Sequence, residues 1–148
     1  MKKLFLLIIT VFAFAGCKDI LTEELKNAPV DTKEPDVTYG AVFESVFEET
    51  VWTSSTDKDG TAFVTVEGLF DWKEGAGQQK SAFVFAKEND GTWTPVSLTV
   101  GEEEIRSPFS VGISFLFICG CYKENQIRAA ADEVADAISA ESAAETGR

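Results

Sequence analysis

The sequence predicts an α+β fold: an N-terminal amphipathic helix, a four-stranded antiparallel β-meander, then an apolar segment and a short C-terminal helix. Three observations carry this expectation. Apolar residues recur at helical spacing just after residue 37. The period then falls to two over four runs joined in pairs by Asp-Gly turns, and helical spacing returns after residue 121. A chain of 148 residues with 45% hydrophobic content suits one folded core.

The first element is a targeting segment, residues 1–16. Lys2 and Lys3 form a basic start, and residues 4–15 are apolar apart from Thr10. This run is shorter than the roughly 20 residues a bilayer span needs. It ends in Phe14-Ala15-Gly16-Cys17, which resembles the lipobox of bacterial lipoproteins, with Phe14 in place of the usual Leu. The resemblance covers the first 17 residues and implies cleavage between Gly16 and Cys17. It further implies acylation of Cys17 and attachment to the bilayer through the N-terminal acyl chains, which together anchor stably. Lys18 directly after the cysteine implies outer-membrane sorting in a Gram-negative envelope.

Residues 17–36 read as the lipidated N-terminus and a flexible tether. Pro29, Pro35 and sparse apolar positions (Ile20, Leu21, Leu25, Val30) set that composition. Such a tether reaches about 65 Å when extended and about 24 Å as a coil.

The α+β domain is expected over 37–122. Thr38 stands as an N-cap between the apolar pair Val37 and Val42, and Tyr39, Val42, Phe43, Val46 and Phe47 form one helical stripe ending near Glu49. Strands are expected at 50–55 and 61–68 around Asp57-Lys58-Asp59-Gly60, and at 81–88 and 92–100 around Asn89-Asp90-Gly91. A three-residue loop ending in a left-handed Gly60 pairs Trp52 with Val66 and Ser54 with Val64. A two-residue Asp90-Gly91 loop pairs Phe85 with Val96 and Phe83 with Leu98, all on one face. Residues 73–80, with Gly75-Ala76-Gly77, connect the hairpins. This element order loosely resembles small cystatin-like or NTF2-like envelope domains, which implies a binding or scaffolding module. Residues 109–119 are too few for a membrane span and suit a buried strand or helix. Residues 123–148 hold Ile127, Ala131, Val134 and Ile138 at helical spacing, with fraying expected from residue 139.

Charge and composition exclude several functions. Asp and Glu number 25 against 13 Lys and Arg, a net charge of −12. Without Lys2 and Lys3 the balance is about −14, which opposes nucleic-acid binding. There is no histidine, so catalysis through a Ser-His or Cys-His pair and zinc held by imidazole are ruled out.

The remaining chemistry is sparse. Cys119-Gly120-Cys121 is a candidate local disulfide in an oxidising compartment, with buried free thiols as the alternative. Asp57-Lys58-Asp59-Gly60 fails as a calcium loop, because Ser55 and Val66 occupy positions that need acidic ligands. No metal or cofactor is expected. Glu67, Asp71 and Glu74 offer carboxylates for a small hydrolase, and Glu102-Glu103-Glu104 reads as a solvated acidic turn. Trp52 falls on the core face, while Trp72 and Trp93 are the candidate binding surface. The leading expectation is a non-catalytic envelope lipoprotein that binds a protein or envelope component. Self-association through residues 111–118 is the alternative, ahead of a carboxylate hydrolase.

Overall fold

A computed structural model describes residues 19–146, so the targeting segment, Gly16 and Cys17 lie outside the described residues. Among the described residues the fold is α+β, with three helices and antiparallel sheets. In order it runs α1 (Ile20–Asn27), β1 (Pro29–Asp31), β2 (Glu34–Thr38), α2 (Tyr39–Val46), β3 (Glu48–Thr56), β4 (Ala62–Phe70), β5 (Gln79–Lys87), β6 (Trp93–Val100), β7 (Glu103–Ile105) and α3 (Pro108–Thr146). Strands β3 to β7 form a five-stranded meander, and β1 pairs with β2 as a separate hairpin.

The segment expected to be a tether is instead largely folded. The Asp19 carboxylate caps α1 by accepting from the Leu21 amide, and its other oxygen accepts from the Ser54 hydroxyl on β3. Leu25 is fully buried. Lys87 of β5 reaches Glu24 at 2.6 Å, and Lys26 lies 3.6 Å from Glu44 and 5.4 Å above the Trp52 ring. An eight-residue helix is marginal alone, so packing on the sheet, which composition does not reveal, holds it.

Helix α2 begins as expected, with Thr38 Oγ1 accepting from the Ala41 amide at 3.2 Å. It ends at Val46, three residues early, because Phe47 turns into the core and β3 starts at Glu48. A β-bulge follows: Glu48 pairs with Leu69 but Val51 with Glu67, and Glu49 takes φ 54°.

The first hairpin has the expected register, Trp52 with Val66 and Ser54 with Val64, and Gly60 is left-handed at φ 86°. The second does not. The Glu88 amide donates to Thr92 O, which closes a three-residue loop, and Phe85 pairs with Pro95. A bulge at Val96 restores Phe83 to Leu98. Val96 is therefore 36% exposed rather than in the core. Pro95, which has no N–H to donate, lies beyond the reach of β7, whose pairing covers only Leu98 to Val100. The expected Glu102 to Glu104 turn overlaps this fifth strand, an edge whose charges discourage further pairing.

All three helices lie on one face of the sheet. Phe43 of α2 is the hub, with ring centroids 5.2 to 6.0 Å from Phe47, Trp52, Phe83, Phe85 and Phe115. The apolar segment and the C-terminal helix form one continuous 39-residue helix, not two elements with a frayed end. Val111, Phe115 and Ile118 are buried, whereas residues 123–144 are exposed.

Candidate functional site

A groove of about 620 Å³ opens at the end of the sheet, between the β4–β5 connection and α3. The connection is built from Asp71, whose two carboxylate oxygens accept from the amides of Lys73 and Gly75, each at 3.2 Å. Trp72 follows, half-buried. Its indole N–H donates to Ser81 Oγ at 2.8 Å, and Ser81 is only 1% exposed, so the ring is held over the sheet. Phe117 of α3 stacks on it, with centroids 6.3 Å apart and planes 25° apart, and Phe70 meets Trp72 edge-on at 4.9 Å. These rings make an aromatic wall. Around it stand Glu48, Asp71, Glu74 and Glu124, with Arg128 as the basic member. Glu48, which lines the groove, directly precedes the strained Glu49, at φ 54°.

This arrangement is suited to holding a cationic group. Stacked aromatic faces attract cations, and the carboxylates add to that attraction. Glu67 does not join the groove. It lies on β4 between the inward-facing Val66 and Gly68, so it points to the opposite face of the sheet, where it pairs with Lys80 at 3.3 Å. The expected carboxylate trio is therefore split, with Asp71 and Glu74 at the groove and Glu67 away from it.

Trp93, expected at the surface, is instead 8% exposed, within the core, with Lys87 5.9 Å above its ring. Trp52 is partly buried against Phe43, and its indole N–H has no hydrogen-bond partner among the described residues. Of the tryptophans singled out, Trp72 is the one that reaches the groove.

Cys119 and Cys121 are both free. Both lie in α3, where residues two apart point about 160° away from each other, so the candidate local disulfide is not formed and the free-thiol alternative is the one seen. Burial pushes the Cys119 thiol up to about 11 against a smaller opposing pull from Lys123. Cys121 is also raised, first by burial and then by the Glu124 carboxylate. A redox-active thiol needs the opposite shift. Burial likewise raises the Tyr39 hydroxyl.

The acidic turns use their carboxylates internally. Asp57 Oδ1 accepts from the amides of Asp59 and Thr61, and Asp90 Oδ1 from both the amide and hydroxyl of Thr92. The hydroxyl bond from Thr92 is the main cause of the lowered Asp90 pKa. Among the described residues, no group of three His, Cys, Asp or Glu side chains gathers as metal ligands, and no helix is long and apolar enough to cross a membrane.

Nothing in the local sequence singles out Phe117, Glu124, Arg128 or Glu48. Phe117, Cys121, Glu124 and Arg128 follow one another at +4, +3 and +4, a single helical face. That face is legible once residues 108–146 are read as one helix. Comparison with protein-family models, curated proteins and solved structures finds no match for this chain.

Proposed function

We propose that the protein is a lipid-anchored, non-catalytic binding module of a bacterial envelope, and that its aromatic groove takes a cationic segment of an envelope protein. The observation that carries the binding reading is the Trp72–Phe117 wall set among four carboxylates. A Lys- or Arg-bearing segment gains cation–π contact with the rings and attraction from Glu48, Asp71, Glu74 and Glu124. The anchor rests on Phe14-Ala15-Gly16-Cys17. With Cys17 as the acylated N-terminus, two peptide links, at most about 7 Å, separate the lipid from Asp19. Asp19 is itself bonded to Ser54, so the module works close against the bilayer, and Lys18 favours the outer membrane in a Gram-negative cell.

The test is a titration of the protein, followed by tryptophan fluorescence, with Lys/Arg-rich and Asp/Glu-rich peptides of equal length. The basic peptide binds, and Trp72→Ala and Glu124→Lys each weaken it at least tenfold. Equal binding of both peptides, or binding indifferent to Trp72→Ala, overturns the reading.

A further inference from the structure

We propose that the outward face of α3 is an interface between two copies of this chain, paired antiparallel along a heptad stripe. The helix spends one face on the core, through Val111, Phe115 and Ile118. On the opposite face Phe109, Ile113, Leu116, Ile127 and Val134 stay 76, 50, 68, 70 and 58% exposed. They are 4, 3, 11 and 7 residues apart, and these spacings fall on one heptad frame. Residues 111–118 thus divide between two faces, and the outward one continues for about five heptads. A repeat of 3.5 residues selects a helical partner wound left-handed around it.

The occupant is a second copy. A partner must bring a similarly long helix with its own apolar stripe; α3 is one, and a twofold axis brings such a stripe onto itself. The 39 residues extend about 58 Å. With a contact strip about 9 Å wide, each copy covers about 500 Å², or about 1,000 Å² in total, the size at which specific interfaces begin. A bilayer surface fits less well. Helices that lie on membranes carry Lys and Arg on the polar face, whereas the distal half of α3 carries Asp132, Glu133, Asp136 and Glu141 against Arg128.

Orientation follows from the same frame. A parallel pair stacks Glu141 on its own copy, a like-charge clash in the seam, whereas Lys123 is already ion-paired with Glu34 of its own protomer at 3.1 Å. The antiparallel pair instead sets Leu116 beside the partner's Val134 and Ile113 beside the partner's Ala137, large against smaller. Gly120 lies in the stripe, and a Cβ added there meets no atom within 4 Å. The position is therefore open to the close approach of a second backbone. Phe117, Cys121, Glu124 and Arg128 lie on the neighbouring face, so this pairing is independent of the groove reading.

The test is oxidative crosslinking of the full chain in whole cells, with Cys119→Ser and Cys121→Ser as background. Leu116→Cys combined with Val134→Cys gives a dimer. Within one helix these positions are about 27 Å apart and cannot bridge. Each single variant gives little dimer, and adding the exposed-site change Ile127→Glu to the pair lowers the yield at least fivefold while the circular dichroism of the purified protein is unchanged. Absence of the dimer in the double variant overturns the proposal. So does self-linking of either single variant, a yield indifferent to Ile127→Glu, or crosslinking to a different protein instead.

Discussion

Gly68 has no room for a side chain: a Cβ would lie 2.6 Å from the Cβ and 2.7 Å from a ring carbon of Phe47, which is itself 4% exposed. Gly68→Ala must push Phe47 out of its place beside Phe43, and a loss of about 1–3 kcal/mol in chemical denaturation is expected. Glu49 sits across the same bulge at φ 54°, where an L residue is strained. Glu49→Gly is expected to be neutral or stabilising by up to about 1 kcal/mol in the same measurement. Cys119 gives a pH prediction. Its thiol ionises at an ordinary 9.0 in the unfolded chain and at about 11 in the fold, so the folded state holds its proton longer. Its contribution is therefore complete below pH 9 and is lost as the pH climbs toward 11. Alkylation of the native protein, followed by peptide mass, should show Cys119 reacting slowly at pH 8 and accelerating toward pH 11; rapid labelling at pH 8 contradicts the burial argument. None of these environments is visible in the local sequence, because each depends on a neighbour brought in from another element.

At the scale of elements, the two hairpins show what local chemistry specifies. Asp57-Lys58-Asp59-Gly60 contains its own closure, since the Asp57 carboxylate accepts two loop amides and Gly60 supplies the positive φ. Its register was therefore readable. Asn89-Asp90-Gly91 closes a loop one residue longer than the alternation predicts, and the bulge at Val96 compensates so that Phe83 still meets Leu98. Alternation demands that Phe83, Phe85 and Leu98 share a face, but it does not say where the extra residue is placed. The sequence pattern divides helix α3 into two pieces because its apolar face changes role midway: the proximal half packs on the sheet and the distal half meets no core. Phe115→Ala, which removes a ring set against Tyr39, Phe43, Phe83 and Phe85, is expected to cost about 3–5 kcal/mol. Ile138→Ala, at a site 63% exposed, should cost less than about 0.5 kcal/mol. Equal losses in thermal melts of the two variants would contradict the division of the helix.

Over the whole molecule, an acidic chain is assembled around a few cations. Lys26, Lys87 and Lys123 each tie one element to another, through Glu44, Glu24 and Glu34. Exposed pairs of this kind contribute little individually, so they align elements more than they stabilise them. The Lys87–Glu24 and Lys123–Glu34 pairs also hold the segment from Glu24 to Glu34 on the body, so that only residue 18 separates the proposed lipid site from the described fold. Protein extracted from membranes is expected to have the mass of residues 17–148 plus acyl chains, and cross-linking within it should place residue 19 beside Ser54. An unacylated mass, or an intact Met1, contradicts the anchor.

The α+β class, the capped helix at Thr38, the first hairpin and the core role of Phe43, Phe83 and Phe85 were already written in local periodicity and turn chemistry. Those features depend on residues a few positions apart, whose interactions the order of the chain makes obligatory. The groove was partly legible: Trp72 and its glycine-rich loop stood out, but Phe117, Glu124 and Arg128 reach it only because α3 runs unbroken past the end of β4. The folding of residues 20–38, the burial of Trp93 and the separation of Glu67 from Asp71 depended on long-range packing. Each turns on which face of an element finds a partner, and the one-dimensional pattern carries the face without naming what covers it.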